Sequence, residues 1–134
     1  MKRQRMAMIP TLKLFGIKQI VPILEEVSDF ARAGGEILFG TDVGFLPDYD
    51  PTEEYALLAS AGLGWKEILA ALTTNPAARF GAAGRTGRVA VGMDADLVVL
   101  AADPTRDVRA FASARYTLRG GRIIHDSMAA PTGP

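Results

Sequence analysis

The sequence predicts an α/β chain in two parts, with strands and helices alternating to about residue 80 and a small β-rich part after it. Three observations predict this. Residues 7–42 run strand, helix, strand, which is the order of a parallel α/β unit. Residues 51–80 hold three helical segments bounded by caps and breakers. Residues 88–126 fall into short β-rich pieces separated by turn residues. Hydrophobic side chains make up 49% of the 134 residues, enough for a packed core and too many for a disordered chain.

Residues 7–15, AMIPTLKLF, read as a short strand that Pro10 ends, because proline cannot donate to a sheet ladder. Pro22 suits the first turn of a helix, where its missing N–H costs nothing. Behind it Ile23, Leu24, Val27, Phe30 and Ala31 recur at helical spacing, and Gly34-Gly35 stops the helix. Ile37, Leu38 and Phe39 form an apolar run, as in a strand buried on both faces. After a loop, Asp50 reads as the N-cap of a helix over 51–61, with Pro51 first and Glu53 three residues on. Tyr55, Leu58 and Ala59 give that helix its apolar stripe, with Leu57 beside them, and Gly62 and Gly64 end it. A helix over 65–72 turns Ile68, Leu69 and Leu72 inward. Thr74 or Asn75 caps a third short helix, with Pro76 at its start and Ala77, Ala78 and Phe80 following. GAAGRTG at 81–87 closes the helical block. RVAVG, ADLVVLAA, ARYTLRG and RIIHD are the β-rich pieces, with Gly120-Gly121 as the turn of a final hairpin. Asp103-Pro104 starts a turn followed by one helical turn, and the tail 128–134 is expected to fray.

The composition excludes several classes of function. With no Cys there is no disulfide, thiolate metal site or thiol nucleophile, and one His cannot build a polyhistidine metal centre within this chain. A formal net charge of zero removes the global attraction to nucleic acid or to an anionic membrane. No apolar run approaches the roughly 18 residues of a membrane span. The basic start MKRQR precedes too short an apolar stretch for a signal peptide, so a cytoplasmic location is expected. Charge is nevertheless segregated. Residues 1–24 carry five bases and no acid, 25–67 carry ten acids and two bases, and 68–134 carry eight Arg and five acids.

Asp42 is the leading candidate for chemistry. It follows an apolar strand directly, and in parallel α/β folds functional groups gather at the C-terminal ends of strands. A carboxylate there can ligate a metal or accept a proton from water, whereas the structural alternative is an Asx turn or a local cap. Asp48, Asp50, Glu53 and Glu54 lie near it, but their spacing matches no calcium loop. His125 reads as a strand histidine without a partner. GAAGRTG lacks the Lys-Ser/Thr of a phosphate-binding loop, and no Ser sits in a nucleophile-elbow pattern.

The ordered pieces FARAGGEILFGTDVG, a helix with Glu54, AGLGWKEILAALTTNPAARFG, GRVAVGMDADLVVLAADP and RYTLRGGRII at 115–124 resemble the C-terminal third of the amidohydrolase superfamily. The nearest branch is the imidazolonepropionase- and prolidase-like enzymes, and the resemblance covers about 7–125. It implies an α/β fold that is the C-terminal fragment of a (β/α)8 TIM-type barrel, followed by part of a small composite β-sandwich domain. Residues 1–80 would supply the last strands and helices of the barrel, 81–127 part of the sandwich, and 128–134 a flexible tail. The segment 36–41 would be the eighth barrel strand and Ile9-Pro10-Thr11-Leu12 the end of an earlier one. Asp42 would be the catalytic aspartate that ligates the metal and takes a proton from the attacking water. Thr41 and Gly44 would shape its loop, and 45–50, with Asp48 and Asp50, would line the substrate mouth. Asn75, Pro76, Gly92, Asp94 and Asp96 match structural signatures.

The implied function is metal-dependent hydrolysis of C–N bonds, in a non-peptide amide or a dipeptide, with a divalent metal, zinc, in the complete enzyme. The first-strand His-x-His pair, the bridging Lys or Glu and the two later histidines of the family are missing from this sequence. The chain therefore reads as a segment that is inactive and metal-free alone. Self-association, or a partner chain supplying strands, is expected. The alternative is a non-enzymatic remnant or interaction module that pairs with another chain. Neither nucleic acid nor membrane is an expected partner.

Overall fold

The computed structural model describes residues 6–15, 17–45 and 47–129. The basic start and residues 130–134 of the tail lie outside them. In chain order come β1 (Ala7–Met8), a 3-10 turn (Leu12–Leu14), α1 (Ile17–Arg32) and β2 (Glu36–Ile37). Then follow α2 (Thr52–Ser60), α3 (Trp65–Leu72), α4 (Thr74–Arg79), β3 (Leu97–Leu100), a second 3-10 turn (Val108–Ala112), β4 (Ala114–Arg119) and β5 (Arg122–Asp126).

The strand–helix–strand order yields a parallel pair. Ala7 lies opposite Glu36 and Met8 opposite Ile37, and the Leu38 N–H adds a bond to the Met8 carbonyl at 2.9 Å. The strand within 7–15 stops at Met8, just before Pro10 as expected of a residue with no donor, and Thr11 turns left-handed at φ 45°. The freed chain folds into the 3-10 turn, which sends Leu12 into the core with no exposed surface. One expectation is corrected here. Pro22 lies inside α1 rather than at its start. It is exposed, so water can serve the carbonyl one turn back that its missing N–H leaves unpaired.

Val27, Ile37, Tyr55, Leu58, Ile68 and Ala71 join Leu12 in one buried cluster, so α1, α2 and α3 close over the strand pair. On α3, Ala71 takes the inward position expected of Leu69, which is 40% exposed. Fully burying side chains of the size of Leu58 and Ile68 is worth about 1.5–3 kcal/mol each. Phe39, Tyr55 and Phe111 form an aromatic series, with centroids 4.7 Å and then 5.6 Å apart, that packs the second 3-10 turn against α2.

The second sheet is antiparallel, in the order β3-β4-β5. Register shifts fall between Val99 and Leu100 and between Thr117 and Leu118. Gly120 and Gly121 both have positive φ, at 55° and 78°, as a two-residue type I′ hairpin turn demands. RVAVG, expected as a strand, is instead part of a loop, with Val89 and Val91 fully exposed to solvent. No neighbouring strand pairs with it among the described residues, and the loop is closed by the Asp94 N–H on the Arg85 carbonyl at 2.7 Å. The fold is thus mixed α/β, with a parallel pair and a separate antiparallel sheet. No helix among the described residues is long and apolar enough to cross a membrane.

Candidate functional site

β1 and β2 run in the same direction, so their C-terminal ends open on one side. The two ends touch: a methyl group at Gly40 would lie 2.5 Å from Ile9 Cγ2 and 3.8 Å from Thr11 Cγ2. Asp42, expected directly after a strand over 36–41, stands five residues beyond β2, which ends at Ile37, and has φ 53°. A left-handed backbone costs a residue with a Cβ roughly 1–2 kcal/mol, and Asp and Asn bear it best. The Asp42 carbonyl takes the Phe45 N–H at 3.2 Å, which closes a turn. Its carboxylate is exposed, and no hydrogen bond or ion pair engages it among the described residues. Thr41 is half-buried before it, and Gly44 sits in the turn at φ 115°.

The acidic residues further on are committed elsewhere. The Lys13 ammonium donates to Asp48 Oδ2 at 2.5 Å and to the Asp50 carbonyl at 2.8 Å. That contact, followed by the Asp50 N–H on Asp48 Oδ1, holds the Asp48 carboxyl below its usual range. The same bond to Asp48 raises the Lys13 ammonium. Asp50 Oδ1 accepts the Thr52 hydroxyl and N–H, and these two bonds, in that order, lower its carboxyl. α2 begins one residue later than expected, so that Pro51 and not Asp50 is its N-cap, while Asp50 still accepts the N–H of Thr52, the first helical residue.

Glu54 has no exposed surface. Its two oxygens take the Leu12 N–H at 2.8 Å and the Lys13 N–H at 2.7 Å. Burial pushes its carboxyl up, against the pull of those two donors. Burial alone pushes the neighbouring Tyr55 hydroxyl up to about 12. Sequence reasoning placed Glu54 within an acidic cluster and on a helix that carries the family resemblance, with no role of its own. The available signal was its position one turn before Leu58 and next to Tyr55, a charge on the apolar face of α2. Nothing in the sequence singled out Lys13.

The remaining signature residues lie in two places. Asn75 is no helix cap, since α4 begins at Thr74 and Pro76 is its third residue. The Asn75 amide instead donates to the Ile37 carbonyl at 2.9 Å. The Phe39 N–H meets the Ala71 carbonyl at 3.2 Å, so the α3–α4 corner occupies the side of β2 that faces away from β1. Gly92, Asp94 and Asp96 belong to the approach to the antiparallel sheet. Asp94 pairs with Arg85 at 2.8 Å, and Asp96 accepts the Gly120 N–H of the hairpin at 2.7 Å. His125 is exposed on β5, opposite Thr117.

No group of three or more His, Cys, Asp or Glu side chains among the described residues could hold a metal ion. A catalytic zinc centre takes about three protein ligands and an open position. Asp42 is one carboxylate, so the described residues do not by themselves fit such a centre.

The family model described as the amidohydrolase family matches residues 7–125. A provisionally assigned prolidase from Bifidobacterium longum is 32% identical with a TM-score of 0.75, over 88% of this chain and 35% of that one. A prolidase complexed with N-methylphosphonate-L-proline is 30% identical with a TM-score of 0.71, over 81% of this chain and 28% of that one. An Xaa-Pro dipeptidase with bound methionine shares the fold, with a TM-score of 0.77 at 17% identity over 89% of this chain and 34% of that one. No curated protein matches the chain. The chain spans about a third of the length of these solved structures.

Proposed function

The chain belongs to the amidohydrolase family, and from that premise we propose that it is the Asp42-bearing segment of a metal-dependent hydrolase of C–N bonds. In this reading β1 and β2 are strands of a (β/α)8 barrel, residues 1–80 its C-terminal part, and 81–127 part of a composite β-sandwich. The observation that carries the proposal is the state of Asp42. It is an exposed carboxylate, unpartnered among the described residues, on a strained left-handed residue at the C-terminal end of a parallel strand pair. Strain of this kind clusters at functional sites. Such a carboxylate can accept the proton of a water that attacks a scissile carbonyl. Thr41 and Gly44 shape its turn, and Asp48 and Asp50 hold the loop beyond. The prolidases and the dipeptidase among the similar structures favour a dipeptide amide as substrate.

The complete enzyme would use a divalent metal, with zinc the leading choice. The donors found here do not hold one, so the other ligands must come from a further part of the fold or a partner chain. The isolated chain is therefore inactive. The test is hydrolysis of Xaa-Pro dipeptides by the purified chain with added zinc. No turnover is expected, and turnover that is lost in Asp42→Asn would overturn the inactivity while upholding Asp42.

A second reading, a remnant or interaction module that pairs with another chain, is favoured by the antiparallel sheet. Its edge strands carry Val98, Ile123 and Ile124 at 59–64% exposure. A strictly monomeric chain at high concentration would count against it.

A further inference from the structure

Full burial of the Glu54 carboxylate is costly, and an apolar side chain of similar volume in such a place commonly stabilises a fold more. Among the described residues no side-chain cation lies against either Glu54 oxygen. Its partners are two main-chain donors, the N–H groups of Leu12 and Lys13, in the turn that follows left-handed Thr11. The main chain of Lys13 is thereby fixed to α2, and its side chain is 89% covered with the ammonium committed to Asp48 and the Asp50 carbonyl. The loop that leaves Asp42 is thus held at its far end by one lysine, and that lysine is held by one glutamate.

We propose that Glu54 is a positioning residue, which acts through Lys13 to set the loop between Asp42 and α2 against the end of β1. The proposal rests on the reading of that loop as the substrate mouth. The couplings are directional. Glu54 orients the 11–14 turn, the turn aims Lys13, and Lys13 draws Asp48 into place to receive the Asp50 N–H at 2.9 Å. A carboxylate suits this task better than an apolar residue because it fixes two N–H vectors at once. An apolar contact has no such orientation.

The test is amide hydrogen exchange on the full chain, followed in residues 11–15, in 47–51, whose exchangeable amides are those of 48–50 between two prolines, and, as a control, in 65–79. It does not use catalysis, so failure of the brace and failure of the Asp42 reading are separate results. Lys13→Met is expected to speed exchange in 47–51 about tenfold, with 65–79 unchanged, since a charge-assisted contact is lost. Lys13→Arg should restore protection. Glu54→Gln should speed exchange in both 11–15 and 47–51. The decisive comparison is the double variant: in the Lys13→Met background, Glu54→Gln should leave 47–51 no faster. An equal further effect there would mean that Glu54 acts only through the stability of α2, and would overturn the proposal. If Glu54→Gln does not fold, Lys13→Met decides alone, and unchanged exchange in 47–51 would likewise overturn it.

Discussion

Asn75→Ala removes a side-chain donor from the Ile37 carbonyl, a bond of 2.9 Å that joins α4 to β2 across 38 residues. Ile37 is 5% exposed, so water does not readily replace the amide. A buried acceptor left without its partner costs about 1–3 kcal/mol, and the lower end applies because a carbonyl tolerates under-satisfaction better than an N–H. The nearby Arg79–Glu36 pair, at 3.0 Å with both side chains about one third exposed, survives the change but offsets at most about 1 kcal/mol. A loss of about 1–2 kcal/mol should lower the melting temperature of a domain of this size by roughly 4–8 °C. Urea melts should show a lower midpoint at unchanged slope. Asn75→Asp, which sets an acceptor against the carbonyl, should cost more than Asn75→Ala. Thr74→Ala, at an exposed neighbour, should cost little. If Asn75→Ala and Thr74→Ala agree within about 0.3 kcal/mol, or if Asn75→Asp matches the parent, the bond does not anchor β2 and the reasoning fails.

Further outcomes follow from other features. Gly87→Ala should destabilise by more than about 1 kcal/mol, since its φ is +92° and a Cβ would meet Ala77 Cβ at 2.5 Å; Gly84→Ala, with open space around it, should be near neutral in the same melts. Ile68→Ala, at a site with no exposed surface, should cost about 2–5 kcal/mol, and a loss below 1 kcal/mol would place it outside the core. Asp42→Asn should leave stability within about 0.5 kcal/mol, because its side chain is exposed and Asn tolerates the left-handed backbone, whereas Asp42→Val should be clearly worse. Glu54 is raised by burial, so as pH climbs through the carboxylate range the folded chain retains a proton that the unfolded chain has released, and stability declines. The parent's stability relative to Glu54→Gln should therefore fall from acid to neutral pH, and a flat difference would contradict the sign. Asp48, Asp50, Asp103 and Asp126, all lowered mainly by hydrogen bonds, work the other way: their contribution is present above the unfolded value and is lost as pH falls through the folded one.

What could be read from the sequence was local chemistry. The helix over 65–72, the glycine hairpin turn and the strand–helix–strand order depend on spacing, breakers and turn residues within a few positions, and α3, Gly120-Gly121 and the parallel pair appear as expected. Features decided by distant neighbours were not legible. Pro22 has the chemistry of a helix start, but α1 begins at Ile17 and the proline is carried on its exposed side. RVAVG has strand composition but finds no neighbouring strand among the described residues. Asn75 has cap chemistry and instead serves a carbonyl 38 residues away. Glu54 marked a helix of the family resemblance and one acid among several, and its structural role was hidden because its partners lie about forty residues earlier in the chain. Asp42 was singled out by its place after a strand. Its left-handed backbone, and a carboxylate with no partner among the described residues, became visible only in three dimensions.

In the proposed reading this chain offers one carboxylate to a metal-dependent site and holds no metal with its own side chains. The most direct measurement is metal stoichiometry by mass spectrometry on the purified, dialysed chain, prepared with zinc in the medium. Near-zero bound metal is the expected result, and Asp42→Asn should not change it. Close to one metal per chain, reduced by Asp42→Asn, would contradict the claim and show that a complete site assembles from these 134 residues.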